Sequence, residues 1–257
     1  RFRPGICFKD INYQFVCDFE AYMESLAYHK NTIAKHMKQL KRHINTAINK
    51  DLINLKQYPF RQYKIKTQVP NRNPLTPDEL KRIENYPSRS CIGKSRCRDM
   101  FLFSCYTGLR FSDITRLQKD NFHLIDGKWW LIFKSLKTGV TIKLPIYMLF
   151  DGKPIEIFKK YCKRNFKSSL FGLSTTSNSA TNKQLKQLAQ KVKVYKHISF
   201  HTARHTCATI LLYNGVQLTT VQKLLGHQSI RTTEVYSDIM DMTVIRDLQK
   251  IKQKKNK

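Results

Sequence analysis

The chain has 257 residues, and the 41% of them that are hydrophobic are enough to bury a core in one large domain or in two modest ones. Lysine and arginine number 47 against 18 aspartate and glutamate residues, which gives a formal net charge of +29 and an isoelectric point near 10.0. Such an excess of basic over acidic residues is unusual for an enzyme that acts on small molecules. It favours a polyanionic partner, because each phosphate that a basic side chain neutralises releases counterions; ribosome-like or incidental basicity is the alternative.

The cysteines and the apolar segments exclude several other classes of protein. Seven cysteines are spread along the chain without a C-x-x-C pair, so a zinc ribbon is unsupported and a reducing cytoplasm fits best. No apolar run approaches the roughly 18 residues that a membrane span needs, and no signal peptide is predicted within this sequence. The sequence begins at Arg1 rather than at Met, so we expect a fragment or a processed form.

Two amphipathic helices are predicted at the start of the chain, over residues 12–27 and 31–49, with Asn31 as the N-cap of the second. The basic face of the second helix carries Lys35, Lys38, Lys41 and Arg42. From residue 30 to residue 66 there are ten lysines and arginines and one acid. Such a face is often merely solvated, but this imbalance favours a surface that follows phosphates.

A linker divides the chain into two predicted domains, a helical one over 1–66 and a second one over 76–257. Residues 67–75 are polar and basic, contain two prolines and lack a periodic apolar face. The second domain starts at Thr76-Pro77-Asp78-Glu79, which is a capping box with proline at the first helical position.

The second domain is predicted to be mainly helical with a small antiparallel β-meander. Apolar residues predict a buried helix over 97–106 and a short helix over 111–118. The turns at Asp126-Gly127 and Lys137-Thr138-Gly139 then predict three strands over about 121–145. Later helices are predicted over 154–165, over 182–193 and from 201 onward. A Ser/Thr/Asn-rich loop lies over 169–182, and Gly215 and Gly226 end two helices.

The residues that metal-dependent or nucleotide-dependent hydrolysis needs are missing. The sequence has no H-E-x-x-H, no clustered acidic set and no Walker-type glycine loop, so no metal or cofactor is predicted. To cut a phosphodiester by another route, a protein needs a side-chain nucleophile and cationic groups that stabilise the transition state. Arginine suits this best, because its guanidinium binds phosphate oxygens in a bidentate way and stays protonated.

Several residues could supply this chemistry, although each alone is more typical of an ordinary surface or core position. His201 and Arg204 lie one turn apart at a predicted helix start, where backbone amides attract anions. A capping histidine and a surface arginine would give the same pattern. His227 lies at a helix end, Tyr236 is one of twelve tyrosines and Arg110 follows a glycine turn.

The order of the motifs along the second domain is more specific than any one of them. They occur as Thr107-Gly108-Leu109-Arg110, a hairpin turn with Lys137, His201-x-x-Arg204, Leu224-Leu225-Gly226-His227 and Val235-Tyr236. This set closely resembles the tyrosine recombinase, or phage integrase, family over about residues 76–250. Within the family the chain is most similar to the integrases of conjugative transposons and other mobile elements. Residues 1–66 resemble the family's helical core-binding domain more loosely.

The resemblance implies a role for each residue. Tyr236 would be the nucleophile that forms a 3′-phosphotyrosyl link to DNA, and Arg110 and Arg204 would clamp the scissile phosphate. His201 would assist proton transfer from the tyrosine, and His227 would hydrogen-bond a phosphate oxygen. The general acid for the 5′ oxygen would be Lys137 in the hairpin turn.

Two of these positions have competitors. Lys134 lies close to Lys137 along the hairpin, although the Lys-Thr-Gly turn matches the family better. Asp113 would orient Arg110 or Arg204, or would be an ordinary acid on a helix surface. His205 is left out of the predicted site because it directly follows Arg204 and is expected to point elsewhere.

The resemblance also implies partners and an assembly. It implies a site-specific recombinase that breaks and rejoins double-stranded DNA without ATP, integrating or excising a mobile element. Four protomers would assemble on two DNA sites, whereas the free protein would be a monomer or a dimer. Accessory DNA-bending proteins would take part, and the reaction would take place in the bacterial cytoplasm. The two domains would form a C-shaped clamp without an N-terminal arm-binding domain. Residues 241–251 would pack onto a neighbouring protomer or onto their own domain.

Two other functions stay open. A type IB topoisomerase-like enzyme would share the cleavage and joining chemistry without strand exchange, although the paired domains and the Leu-Leu-Gly-His motif favour a recombinase. A non-catalytic DNA-binding regulator on the same scaffold would be expected to lack catalytic residues, and no residue of the motif set is missing.

Overall fold

The protein consists of two compact units, residues 1–71 and 72–257. The structure, a computed structural model, describes residues 2–68, 73–87, 92–164, 169–172 and 177–234. Each unit has a hydrophobic core of its own. No helix within these ranges is long and apolar enough to span a bilayer. The predicted C-shaped arrangement of the two domains stays a prediction.

The first unit is built on two helices, α1 (Tyr13–Ser25) and α2 (Lys30–Ile48), which pack through their apolar faces. The prediction that Asn31 caps α2 is wrong, because the N-cap lies two residues earlier in the sequence. His29 is the N-cap, and its Nδ1 accepts a hydrogen bond from the Asn31 amide at 3.2 Å. The Asn31 side chain instead makes two hydrogen bonds with the backbone of Gln68, at 2.8 and 2.9 Å.

The second unit begins with α3 (Pro77–Glu84), and its predicted capping box is confirmed. Thr76 Oγ1 accepts from the Glu79 amide at 3.2 Å, and the Glu79 carboxylate accepts from the Thr76 amide at 2.8 Å. The next helix, α4 (Ile92–Thr107), is the buried one that the apolar sequence predicts, with every residue from 99 to 107 buried. After it, α5 (Phe111–Ile114) is shorter than predicted.

The predicted three-stranded meander is confirmed. Strands β1 (Phe122–Ile125), β2 (Lys128–Lys134) and β3 (Thr141–Leu144) pair antiparallel in the order β1-β2-β3. The inner face of the sheet is buried in the core through Leu131, Phe133, Ile142 and Leu144. Residues 135–140 therefore form a turn at one end of the sheet.

Helices α6 (Lys153–Cys162), α7 (Asn178–Lys191), α8 (Phe200–Tyr213) and α9 (Leu218–Leu225) complete the described part of the unit, together with a 3-10 turn at Ile230–Thr232. The predicted C-terminal boundary of the loop over 169–182 is wrong. Ser177 accepts a hydrogen bond from the Ala180 amide at 3.1 Å and so starts α7 at Asn178. Helix α4 packs along α8, and α9 contacts both α8 and β3. This packing brings the start of α8, the end of α9 and the β2–β3 hairpin into one region.

Candidate active site

Arg204 joins three of the sequence motifs. It is the fifth residue of α8, near the start of that helix, and is only 3% exposed. One terminal nitrogen of its guanidinium donates to the carbonyl of Gly108, and the other donates to the carbonyl of Leu225, both at 2.7 Å. Gly108 lies two residues before Arg110, and Leu225 lies two residues before His227. The buried side chain of Arg204 therefore fixes the backbone that precedes each of these two candidate residues.

Glycine at residue 108 suits both the backbone conformation and the close packing there. Its φ is +70°, and a Cβ placed there would lie 2.3 Å from Leu225 Cδ2, which is too close for any real contact. The turn that ends α4 therefore packs directly against the end of α9.

Arg110 lies at the N-cap position of α5, and its side chain is 16% exposed. It donates to Ser135 Oγ at 3.3 Å and lies 3.9 Å from the carboxylate of Asp113. Burial lowers the pKa of Arg110, and the attraction of the nearby Asp113 carboxylate offsets only part of this lowering. A guanidinium stays protonated under either influence, so Arg110 places a positive charge beside the β2–β3 turn.

Asp113 connects α5 to the β2–β3 turn. It is 6% exposed, and its carboxylate accepts from the Leu136 amide at 2.9 Å and from Ser135 Oγ at 3.2 Å. Asp113 was predicted to orient either Arg110 or Arg204, and it lies beside Arg110. Its shortest contacts, however, are with the backbone and side chain of the turn.

Lys137 lies within this turn and is exposed. The Ser135 amide donates to the carbonyl of Val140 and the Gly139 amide donates to the carbonyl of Ser135, both at 2.9 Å. Lys134 is the last residue of β2 and pairs with Thr141. It lines a cavity of about 370 Å³ on the side of the turn where Asp113 lies. The two lysines thus occupy different parts of the hairpin, one in the strand and one in the turn.

His201 is the second residue of α8, and its side chain is exposed. The backbone amide of Phe200, which precedes it, donates to Asn182 Oδ1 at 2.7 Å, so the helix end is partly capped by the protein itself. The ring of His205 lies against that of His201, with centroids 4.4 Å apart and planes at 79°. His205 and His201 share one face of α8, because they lie four positions apart, and the exclusion of His205 from the site stays a prediction.

His227 follows Gly226, which ends α9 in the left-handed conformation. Its Nδ1 lies 2.8 Å from Oγ1 of Thr233, and its backbone amide donates to the carbonyl of Gln222 at 3.1 Å. Thr233 is fully buried, and it belongs to none of the motifs that the sequence displays. Tyr236 and residues 241–251 lie outside the described residues, so their predicted roles stay predictions.

The predicted basic surface lies on α2 in the first unit. Lys35, Lys38 and Arg42 are exposed, whereas Lys41 is half-buried with its ammonium 5.9 Å from the centre of the Phe60 ring. Within the described ranges there is no group of three or more histidine, cysteine, aspartate or glutamate side chains that could hold a metal ion.

A mainly helical unit with a three-stranded meander, in which two largely buried arginines come from separate helices, defines a site suited to binding a phosphate. The sequence matches the Phage integrase family over residues 73–242 and the Phage integrase SAM-like domain over residues 1–66. The chain therefore belongs to the phage integrase family, and the predicted family resemblance is confirmed.

Tyrosine recombinase XerD from Staphylococcus aureus is similar in sequence, with 29% identity over 169 residues, covering 64% of this chain and 57% of the relative. The chain thus spans little more than half the length of this curated relative. Among solved structures, the Tn1549 transposon integrase in complex with circular intermediate DNA superposes with a TM-score of 0.70 at 17% identity, covering 88% of this chain and 81% of that chain. A lambda integrase dimer bound to a core site gives a TM-score of 0.69 at 20% identity, covering 90% of this chain and 84% of that chain. These structures share the fold, which confirms the predicted fold class.

Proposed function

We propose that the protein is a tyrosine-type site-specific DNA recombinase that integrates or excises a mobile element. The observation that carries this proposal is the pair of hydrogen bonds from Arg204 to the carbonyls of Gly108 and Leu225. Three motifs would bind the scissile phosphate, and these two hydrogen bonds join them into one structure. Family membership gives independent support.

The proposed reaction exchanges one phosphodiester for another. The hydroxyl of Tyr236 attacks the scissile phosphorus, its oxygen forms the new bond, and the bond from phosphorus to the 5′ oxygen of DNA breaks. His201 takes part in removing the tyrosine proton, and Lys137 gives a proton to the departing 5′ oxygen. Because the 3′-phosphotyrosyl link preserves a phosphodiester, the reverse attack rejoins DNA without ATP.

Arg110 and Arg204 stabilise the charge that grows on the non-bridging oxygens, and His227 donates to one of them. The structure supports this role for the arginines because both are largely buried, where a fixed positive charge acts more strongly than in water. Arg204 is also held in place before any DNA arrives. A guanidinium has five N–H donors, so bonds to two carbonyls are compatible with binding a phosphate.

The substrate is double-stranded DNA, and the assembly is four protomers on two sites, with accessory DNA-bending proteins as further partners. We assign a core-binding role to residues 1–66 and the catalytic role to residues 76–257, joined by the linker at 67–75. The net charge of +29 and the exposed Lys35, Lys38 and Arg42 on α2 support contacts with the phosphate backbone. Such a reaction takes place in the bacterial cytoplasm, where the nucleoid lies.

Trapping the covalent intermediate tests the proposal. A library of nicked duplexes with random sequence is incubated with the full chain in EDTA, and DNA that stays attached after denaturation is recovered and sequenced. We expect a defined site that is attached through its 3′ phosphate, and no attached DNA with Tyr236→Phe. Attachment without a preferred sequence would favour the topoisomerase-like function. Tight binding to a preferred sequence without attachment would favour a DNA-binding regulator.

A further inference from the structure

The side chain of Gln228 reaches the β2–β3 turn from the segment that follows α9. Its Nε2 donates to the carbonyl of Thr138 at 3.1 Å. We propose that Gln228 is a positioning residue that holds Lys137 in place for proton transfer to the leaving 5′ oxygen. This inference rests on the proposed function, in which Lys137 is the general acid.

Lys137 lies between two anchor points in the turn. On its N-terminal side, the Leu136 amide donates to the Asp113 carboxylate at 2.9 Å. On its C-terminal side, the Thr138 carbonyl accepts from Gln228. Each anchor thus fixes a backbone group in a residue adjacent to the lysine. Because Lys137 itself is exposed and has a long side chain, the position of its Cα restricts where its ammonium can reach.

Gln228 extends from a part of the chain that is itself fixed. The preceding residue, His227, donates its amide to the carbonyl of Gln222 at 3.1 Å, and its carbonyl accepts from the Gln222 side chain at 3.2 Å. Gly226 lies so close to β3 that a Cβ there would be 2.7 Å from Ile142 Cδ1. The hairpin and the corner that follows α9 are therefore packed together, and Gln228 extends this contact to the turn.

The anchor at Gln228 also links two proposed catalytic groups, because its backbone neighbour is His227. Arg204 holds the carbonyl of Leu225 at the start of the same corner. Because Arg204 is held by Gly108 and Leu225 and not by Gln228, we expect a change at residue 228 to alter the placement of Lys137 and to preserve these two contacts of Arg204. This separates the proposed role from a general effect on the site.

Gln228 is exposed, so water competes with its hydrogen bond and the effect of losing it is limited. General acid catalysis contributes roughly 100- to 10,000-fold, and a misplaced acid forfeits only part of that. We expect Gln228→Ala to slow DNA cleavage about tenfold. Gln228→Glu has the same length without the N–H donor and is expected to behave like Gln228→Ala.

The test compares two leaving groups on the DNA site recovered by covalent capture. One duplex carries the natural 5′ oxygen at the scissile phosphate, and the other carries sulfur in its place. A thiol has a pKa of roughly 8.5, far below that of an alcohol, so the sulfur can leave as the thiolate without a proton. Cleavage rates are measured for the wild type, Lys137→Ala, Gln228→Ala, Gln228→Glu, the Lys137→Ala/Gln228→Ala double variant and Ser229→Ala, an exposed neighbour that serves as the control.

If Gln228 positions Lys137, sulfur restores both Gln228 variants and Lys137→Ala to nearly the wild-type rate. The double variant is then no slower than Lys137→Ala on the oxygen substrate, and Ser229→Ala matches the wild type on both. An equal loss on oxygen and sulfur, no loss at all, or additive losses in the double variant would overturn the inference. So would a failure of sulfur to restore Lys137→Ala, although the recombinase function would then stand. If the wild type attaches to no DNA, the proposed function itself fails.

Discussion

The guanidinium of Arg204 donates to the carbonyl of Gly108 across 2.7 Å, although the two residues lie 96 positions apart in the sequence. With the equivalent bond to Leu225, this contact ties the ends of α4 and α9 to the start of α8. Arg204 is thus part of the scaffold as well as a candidate ligand for phosphate. Its replacement should therefore affect both stability and catalysis.

We expect Arg204→Lys to reduce the free energy of unfolding by about 1–3 kcal/mol, because an ammonium cannot reach two separate carbonyls as a planar fork can, and at least one of them loses its partner. DNA cleavage should fall further than this destabilisation explains, since the proposed contact of the guanidinium with phosphate is lost as well. Urea denaturation and the covalent capture assay measure the two effects separately.

Arg61→Lys is the matched control for this substitution, because Arg61 is exposed in the first unit. It should leave stability and cleavage within experimental error of the wild type. If Arg204→Lys is as stable as this control, the two carbonyl contacts do not hold the site together.

Asp113 offers a test of the hairpin anchor. Asp113→Ala should expose the Leu136 amide to faster hydrogen exchange, because the acceptor that lies 2.9 Å away is removed. Asp113→Asn keeps an oxygen in that position and should preserve much of the protection. Exchange read by mass spectrometry on a peptide that spans residues 135–140 distinguishes them. Equal exchange in all three proteins would show that the turn holds itself closed.

The helices and strands of the second unit were predictable because each has a strong local pattern. The Thr76–Glu79 capping box, the buried helix α4 and the turn at Asp126-Gly127 all depend on residues close together in sequence. Predictions failed where one side chain decided between two local alternatives. His29 and Ser177 each moved a helix start, since a single capping hydrogen bond determines which residue begins the helix.

The candidate residues were found from motif order and family resemblance, whereas their supporting contacts were not. The contact of Gln228 with Thr138 spans 90 positions, and no local rule predicts such a pairing. The contact of His205 with His201 could have been predicted from the sequence, because residues at i and i+4 of a helix are neighbours on one face. Thr233 beside His227 depends on how the chain turns after α9, which the sequence pattern leaves open.

The basic face of α2 should contribute to DNA affinity in proportion to its phosphate contacts. Replacing Lys35, Lys38 or Arg42 with alanine should each make the slope of log affinity against log salt shallower by about 0.9, because one fewer counterion is released. Fluorescence anisotropy measures this slope when the DNA site recovered by covalent capture is labelled and titrated with protein at several salt concentrations.

Lys41 and Lys9 serve as internal controls for that series. The ammonium of Lys41 lies over the Phe60 ring, so Lys41→Ala should lower stability more and change the salt slope less. Lys9 is exposed outside α2, and its removal should leave the slope unchanged. An equal change at every one of these positions would indicate a diffuse electrostatic effect rather than contacts along α2.

Glu79 should make the stability of the second unit depend on pH. Burial raises the pKa of its carboxyl, but the hydrogen bonds from Lys196 and Thr76 outweigh burial and bring the pKa below its ordinary value of 4.5. A depressed folded pKa contributes stability above the unfolded pKa and loses that contribution as pH falls through the folded pKa. Glu79→Gln should therefore destabilise the protein near neutral pH, and the difference should vanish well below pH 4.5. Urea denaturation across this range tests the effect, with the exposed Asp78→Asn as the control; a difference that persists in acid would contradict it.

The close approach of Gly226 to Ile142 can be tested as an energetic coupling. Gly226 has a φ of +63°, and an added Cβ would lie 2.7 Å from Ile142 Cδ1. Gly226→Ala should cost about 1–2 kcal/mol from the left-handed backbone alone, with crowding against Ile142 in addition. Gly127→Ala isolates the backbone cost, because Gly127 has a φ of +70° and nothing within 4 Å of its added Cβ.

Ile142→Val removes the crowded Cδ1 methyl and should itself cost about 0.5–1.5 kcal/mol. Gly226→Ala should then cost less in the Ile142→Val background than in the wild type, and the double-mutant cycle in urea gives that difference directly. The relief should bring the cost of Gly226→Ala toward that of Gly127→Ala. A coupling of zero would mean that the Ile142 side chain moves aside without cost.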